Sequence, residues 1–435
     1  MSLLSFKLQD YHAVGSADLK IDGITVIAGE NGSGKSTISR WLYFLINSMV
    51  TFDSNCYYSL YGELNLEINK FIRLSTDWRY RDSIYRIERK INLSGDEFIP
   101  YLEQLVLSLK ESVLQLLQTD VVSTITKSRL LALVGNEEYS INDIDKSALV
   151  EGVLIYFEKF VEKYINKYHA TQMKVEQKSS ADLYESIVNT YHTSDSLPRY
   201  FSLLEKNESL FNDDHFIEPY FLNKAIYIDA SIPTSDRERT DVDVIGDMTR
   251  DLILYPLSKE LDSSSRQILL RIQRIIKGSI FLKEDETVYQ NRELRYKRID
   301  GLDIPLRSAA SGIQSIAYLY RLLECGYLDN ETLLLIDEPE THLHPQWVVE
   351  YANILVRLHK DLGVKIVVAS HSPDMISAIE TISRRHEIDG VTRFYQAKQG
   401  LDMKYKFEDL GMNISEIFES FNVAFSKMQD YGSNL

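Results

Sequence analysis

A chain of 435 residues is long enough for two or three compact units with a large core, and 44% hydrophobic with 26% charged residues is the make-up of an ordinary globular protein. The formal charge of −16, from 48 basic against 64 acidic side chains, argues against a surface coated for non-specific nucleic-acid binding, while leaving room for a local basic groove. Cys56 and Cys325 stand far apart without metal-ligand spacing, which argues against a disulfide framework and a zinc site.

The N-terminus, Met1-Ser2-Leu3-Leu4-Ser5-Phe6-Lys7, has no basic region followed by a long apolar core, and no later apolar run approaches bilayer-spanning length. The expectation is a cytoplasmic protein that neither enters secretion nor crosses a membrane. Leu4 to Lys20 alternates loosely and predicts one or two strands. Tyr11, just upstream of the next motif, either stacks on an adenine or is a half-buried strand tyrosine. Ile24-Thr25-Val26-Ile27-Ala28 is β-branched and apolar, as a buried strand should be, and Ile38, Trp41, Leu42 and Leu45 fall at helical spacing. Between them lies Gly29-Glu30-Asn31-Gly32-Ser33-Gly34-Lys35-Ser36-Thr37, which fits G-x-x-x-x-G-K-[ST] in the strand-to-helix setting that a phosphate-binding loop requires.

The chemistry needs these residue types. Glycines let the backbone turn its N–H groups inward, and the following helix adds the positive end of its dipole. Gly29, Asn31, Gly32, Ser33, Gly34, Lys35, Ser36 and Thr37 are therefore the expected ATP-binding residues. Lys35 would reach the β- and γ-phosphates, and the Ser36 hydroxyl would ligate Mg²⁺.

Beyond the first helix, Tyr57 to Arg89 reads as short strands, with Leu64, Leu66 and Ile68 alternating. A helical region follows, with one stripe of Leu102, Leu105, Leu109, Val113 and Leu116 and another of Val150, Val153, Phe157, Val161 and Tyr164. Neither is sustained enough for a long coiled coil, so a compact helical insertion is expected over 96–221, between an N-terminal head segment 1–95 and a C-terminal head segment 222–400, with a short tail 401–435. Gln177-Lys178-Ser179-Ser180 reads as a turn. The β pattern returns at Ala225-Ile226-Tyr227-Ile228-Asp229. The polar loop from Ser231 to Asp241, with Pro233, is either structural or a partner or nucleic-acid contact through Arg237 and Arg239. Val244 to Ile276 is mostly helical, interrupted near Pro256, and Ser279 to Pro305 suggests strands joined by polar turns.

A second group of polar residues begins at Ser308-Ala309-Ala310-Ser311-Gly312-Ile313-Gln314-Ser315, ahead of a helix whose Ile316, Leu319, Tyr320 and Leu323 share a face and which should stop near Gly326. A Ser-Gly at a helix start is either a plain cap or an anion-binding element. Leu333-Leu334-Leu335-Ile336 forms a buried strand ending in Asp337 and Glu338, and carboxylates at such a tip call for a cation. Asp337 can hold Mg²⁺, and Glu338 can orient or deprotonate the water that attacks the γ-phosphate. Pro345 opens a helix that Gly363 closes. Lys365-Ile366-Val367-Val368-Ala369 is another buried strand, running into Ser370-His371-Ser372-Pro373, where His371 can contact the γ-phosphate.

In this order the motifs resemble those of the ATP-binding-cassette (ABC) ATPase superfamily. Gly29 to Thr37 resembles Walker A, Ser311-Gly312-Ile313-Gln314 the signature loop, Leu333 to Glu338 Walker B with its catalytic glutamate, and His371 the switch histidine. Ile313 stands where that family usually has a second glycine. Within the superfamily, Asp337-Glu338-Pro339-Glu340-Thr341-His342-Leu343-His344-Pro345-Gln346 and Ser370-His371-Ser372-Pro373 look like the RecF-type and overcoming-lysogenisation-defect ATPases.

The resemblance implies an α/β ABC ATPase head, a P-loop sheet with flanking antiparallel strands and a helical insertion between Walker A and the signature loop. It implies a homodimer or higher homo-oligomer in which two heads sandwich ATP, with Ser311, Gly312 and Gln314 of one copy facing the Walker A of the other. The overcoming-lysogenisation-defect nucleases carry a nuclease domain after the switch histidine, and no convincing acidic metal-binding set is legible in Ser372 to Leu435. The expectation is an ATPase that senses or regulates for a separate effector, a nuclease or toxin, as in the Septu-type and PARIS-type bacterial antiphage systems that it partly resembles. The rival is a RecF- or SMC-like clamp on DNA, and a transporter subunit is a third reading.

Overall fold

The structure is a computed structural model in which residues 3–72, 95–118, 146–191, 198, 200–229, 244–257, 260–284, 292–341 and 343–419 are described. The loop from Ser231 to Asp241, His342 and the part of the tail beyond Glu419 lie outside the described residues.

The chain divides into two compact units, one formed by Met1–Thr51 with Ser179–Leu435 and the other by Phe52–Lys178. In the first unit, β1 (Leu4–Tyr11) and β2 (Val14–Ile21) form an antiparallel hairpin leading to β3 (Ile24–Ala28), every residue of which is buried. After the phosphate-binding motif, α1 runs unbroken from Lys35 to Ile72. The chain returns through α4 (Ser180–Tyr191), β4 (Tyr200–Glu205), β5 (Glu208–Ser209) and β6 (Lys224–Ile228). It continues through α5 (Val244–Leu254), α6 (Ser263–Ile276), and a separate antiparallel sheet of β7 (Gly278–Glu284), β8 (Arg292–Arg298) and β9 (Asp303–Pro305). The last elements are α7 (Ser311–Glu324), β10 (Thr332–Asp337), α8 (Pro345–Leu362), β11 (Lys365–Ser370), α9 (Pro373–Arg385), β12 (Thr392–Gln399) and β13 (Tyr405–Gly411).

Among the described residues ten strands form one sheet in the order β5-β4-β1-β2-β13-β12-β3-β11-β10-β6. Its half from β12 to β6 is all parallel, whereas β1 pairs antiparallel with both β2 and β4. The parallel strands are near-continuous apolar runs because both faces are covered: Leu333, Leu334, Leu335, Ile366, Val367 and Val368 are fully buried. This is the α/β architecture expected, a P-loop sheet flanked by antiparallel strands with a helical insertion before the Ser311-Gly312 segment.

The second unit consists of the distal part of α1, α2 (Gly95–Gln118) and α3 (Lys146–Gln177). Leu102, Leu105, Leu109 and Val113 share a core with Val153, Phe157 and Tyr164, and Phe98 stacks on Tyr168 at 4.6 Å. The strands expected from Tyr57 onward are absent as far as Ile72, where the chain is helical. The reason is geometric: Leu60, Leu64 and Ile68, four residues apart, line one helical face and are buried, while Leu66, the middle member of the apparent alternation, is 69% exposed.

The insertion therefore spans 52–178 rather than 96–221, because α1 does not break at its start and because β4, which pairs with β1, belongs to the main sheet. Similarly, β13 pairs with both β12 and β2, so the stretch after 400 begins inside the sheet. The turn expected at Gln177 to Ser180 separates α3 from α4, with Lys178 at φ 43°. No helix among the described residues is long and apolar enough to cross a membrane.

Candidate ATP and magnesium site

Strand register sets the site. In the parallel ladder Asp337 pairs with Ala369, and Ser370 pairs with Ala28, so β10, β11 and β3 end at one level. The three chains leave that edge as Glu338, His371 and Gly29. The carboxyl edge of a parallel sheet is where such folds bind their ligands.

The loop after β3 takes its path from glycine. Gly32 and Gly34 sit at φ +81° and +95°, a region that side chains disfavour, and a Cβ on Gly34 would come within 2.7 Å of Val14. Ser33 N–H donates to the Glu30 carbonyl and Ile38 N–H to that of Gly34, closing the loop onto the start of α1. Lys35 is 4% exposed, and its Nζ donates to the carbonyls of Gly29 and Glu30 at 2.9 Å each. Burial lowers its pKa below the ordinary lysine value, against the pull of Glu338, Asp337, Glu340 and Glu30. Among the described residues the buried Ser33 hydroxyl has no hydrogen-bond partner. Tyr11 is buried, stacked on His12 and edge-on to Trp41.

Burial raises the pKa of Asp337, and the Ser36 and Tyr227 hydroxyls pull it back down. Tyr227, on β6, donates its hydroxyl to Asp337 Oδ2 at 3.0 Å. Burial, and then the Asp337 charge, push that phenol far above its ordinary pKa, so it keeps its proton, and the Arg40 guanidinium bonds the same hydroxyl from α1. Asp337 Oδ1 is buried with no hydrogen-bond partner among the described residues.

Glu338 lies just past β10 at φ 48°, a left-handed conformation that costs a residue with a Cβ roughly 1–2 kcal/mol. It is held there by its own N–H on the Ala369 carbonyl at 2.8 Å and by Thr341 N–H on its carbonyl at 3.0 Å. His371 Nδ1 stands 3.3 Å from Glu338 Oε1 and 3.5 Å from Glu340 Oε1. The same Glu340 oxygen accepts from Ser370 Oγ at 2.7 Å and from His371 N–H at 3.0 Å.

Lys35, Ser36, Asp337, Glu338 and His371 are thus brought together from opposite ends of the chain. Ser311, Gly312 and Gln314 lie in the first turn of α7. Gln314 Nε2 donates to the carbonyls of Arg307 and Ala309, within its own loop, and the N-cap residue Ala310 provides no side-chain cap. Three residues of this region escaped the sequence reading: Arg40, Tyr227 and Glu340. Glu340 stood in a motif already singled out, but nothing in Asp337-Glu338-Pro339-Glu340 shows that its third carboxylate turns inward. Tyr227 reads as one more apolar strand residue.

The family model for the AAA ATPase domain, AAA_15, matches residues 1–376. The chain belongs to the AAA_15 ATPase family. It is an ATPase and uses ATP. No curated protein matches it. Among solved structures it is similar to the Smc head domain with an extended coiled coil bound to the C-terminal domain of ScpA from Pyrococcus furiosus, at 11% identity over 98% of each chain with a TM-score of 0.34. It is also similar to the SMC head domain from Thermotoga maritima, at 10% identity over 94% of this chain and 99% of that one with a TM-score of 0.36. A third is the ADP conformation of an ATP-binding cassette of an ABC transporter, at 9% identity over 97% and 98% with a TM-score of 0.34.

The residues present in this AAA_15 chain fit magnesium-bound triphosphate. A hydroxyl and a carboxylate with an unpartnered buried oxygen are the hard ligands that Mg²⁺ takes alongside phosphate oxygens and water. Among the described residues no three His, Cys, Asp or Glu side chains gather into a cage of the kind that holds a metal without substrate.

Proposed function

We propose that this protein is an ABC-type ATPase whose two heads close on ATP and Mg²⁺, and that in bacteria it acts as sensor or regulator of a separate effector, a nuclease or toxin, in antiphage defence. The observation that carries the enzymatic part is the common level of β3, β10 and β11, which delivers a buried lysine, a carboxylate pair and an imidazole to one edge.

Each residue then has a task. Lys35, held in a site that disfavours its charge, gains from a polyphosphate the counter-charge that burial denies it. Gly29, Asn31, Gly32, Ser33, Gly34 and Thr37 line the phosphates through the loop and the helix start. Ser36 and Asp337 would hold Mg²⁺, which would supply neutralising charge to the transferring phosphoryl group. Glu338 orients or deprotonates the attacking water, and His371 contacts the γ-phosphate. Ser311 and Gly312 offer the uncapped amides of α7 to the nucleotide of a second copy, with Gln314 bracing their loop. The role in defence rests on the resemblance of Asp337 to Gln346 and of Ser370 to Pro373 to ATPases of that class.

Lys35→Ala tests both parts. Hydrolysis should fall about 10²- to 10³-fold, since a principal charge stabiliser is lost, and ATP-dependent association, followed by light scattering, should disappear. Wild-type hydrolysis rates in the variant would end the assignment of this site. Protection against a broad phage panel, conferred by the gene with its neighbours, should also vanish. An unprotected wild-type strain, with tight salt-sensitive DNA binding stimulated by ATP, would replace defence with a DNA clamp.

A further inference from the structure

Glu340 is a buried carboxylate, 9% exposed, with no lysine or arginine bonded to it and no hydrogen-bond partner for its Oε2 among the described residues. Burying a carboxylate costs several kcal/mol unless the surroundings compensate, so its position calls for a reason. Its partners are specific. Oε1 takes the Ser370 hydroxyl at 2.7 Å and the His371 backbone N–H at 3.0 Å, and the His371 ring nitrogen stands 3.5 Å from the same oxygen. Ser370 Oγ in turn receives Ser372 N–H at 3.1 Å, and Ser372 caps α9 through Met375 N–H. On its other side Glu340 belongs to the turn closed by Thr341 N–H on the Glu338 carbonyl.

We infer that Glu340 is a positioning residue for ATP hydrolysis, clamping the chain at His371 to the turn that carries Glu338 so that both side chains keep one fixed separation. This rests on the reading that Glu338 and His371 act at the γ-phosphate. The clamp answers a mechanical need: the two residues leave different strands, β10 and β11, and His371 lies two residues past the last ladder bond, Glu338 N–H on the Ala369 carbonyl. Glu340 replaces the missing ladder with two hydrogen bonds onto one oxygen. In this role it acts through His371 and Glu338 rather than on the water or the phosphate. A carboxylate that merely completes a turn would affect folding alike with or without His371, whereas a clamp acts through that histidine.

The test compares kcat and KM for ATP in the full-length wild type, Glu340→Ala, Glu340→Gln, His371→Ala and the double variant Glu340→Ala/His371→Ala, each checked for a cooperative melting transition. Misplacing a reacting group by about an ångström costs on the order of 100-fold, so Glu340→Ala should lower kcat about 10- to 100-fold with KM within about twofold. Glu340→Gln, whose amide oxygen can still accept both bonds, should stay within about fivefold of wild type, and the double variant should be no slower than about twofold below the worse single one.

Multiplying losses, a change confined to KM, or a Gln variant as slow as the Ala variant would each overturn the clamp. Full kcat in His371→Ala would instead remove the reading beneath it, and the clamp with it. Should Glu340→Ala fail to fold, Ser370→Ala takes its place by removing one leg of the clamp: a kcat loss of about 3- to 10-fold without a KM change supports the inference, and an unchanged kcat overturns it.

Discussion

The two compact units treat the same side chain, a buried tyrosine, in different ways. In the helical unit, burial pushes the phenols of Tyr61 and Tyr101 up to about 12, and the Tyr101 hydroxyl has no hydrogen-bond partner among the described residues. The Tyr61 and Tyr101 rings act as bulk in the core shared by α1, α2 and α3, whereas Tyr164 donates its hydroxyl to the Glu63 carbonyl at 3.1 Å. In the head, Tyr227 is desolvated as well, but its hydroxyl is bonded to Arg40 and to Asp337, whose Oδ1 has no hydrogen-bond partner among the described residues. Desolvation alone therefore does not mark a functional residue. What marks the head is that charged groups share the burial, at strand ends where a parallel sheet leaves backbone and side chains facing outward together.

The contrast breaks most directly at Phe157, 2% exposed in the core of the helical unit. Truncation to Ala should destabilise that unit by about 3–5 kcal/mol in chemical denaturation, the usual result of removing a buried ring. Because the grouped chemistry lies in the head, kcat and KM for ATP measured well below the unfolding transition should remain within about twofold of wild type. A large kcat loss under those conditions would show that the helical unit has a part in hydrolysis.

The next test removes a hydroxyl from each kind of tyrosine. Tyr227→Phe keeps the ring but deprives Asp337 Oδ2 of its donor, and disturbing the group that orients a metal ligand costs about tenfold or more in apparent Mg²⁺ affinity. Tyr101→Phe removes a hydroxyl without a partner and should leave Mg²⁺ dependence unchanged, with stability equal or slightly higher. Titration of the ATPase rate with Mg²⁺ reads both. Equal Mg²⁺ dependence in wild type and Tyr227→Phe would remove the tyrosine from the site.

Much of the head was legible in the sequence because its signals are local. Four apolar residues and a threonine followed by a glycine-rich loop define β3 and its turn, and Leu333 to Glu338 announces a buried strand with a charged tip. The helical unit was harder to place at its edges. Leu64, Leu66 and Ile68 satisfy a two-residue period, and the helical reading wins only once Leu60 is seen to continue the four-residue spacing and Leu66 to face outward. β4 was missed because a six-residue strand with a half-exposed burial pattern gains its identity from pairing with β1, almost two hundred positions earlier. Arg40, Tyr227 and Glu340 were illegible for a related reason: each acts through a neighbour that only the sheet brings close.

The smallest expected effect concerns the cost of keeping Asp337 ready. Its pKa in the folded protein is raised above the ordinary 3.8 by burial and by Glu338, against the opposing influence of Ser36, Tyr227 and Arg40. A raised carboxylate favours the folded state while it is protonated, so that contribution is fully present below 3.8 and is lost as pH climbs through the higher folded value.

Asp337→Asn carries no such charge. Without nucleotide it should match wild type near the acid end and melt roughly 1–3 °C higher once Asp337 has ionised, with the gap opening as pH climbs above 3.8 and through the raised folded value. Adding ATP and Mg²⁺ should reverse the order, because only the carboxylate gains from the metal. A gap that is constant with pH, or that survives saturating Mg²⁺ and ATP, would mean that the Asp337 carboxylate is not held ready for a cation, and the contrast between the head and the helical unit would lose its chief energetic support.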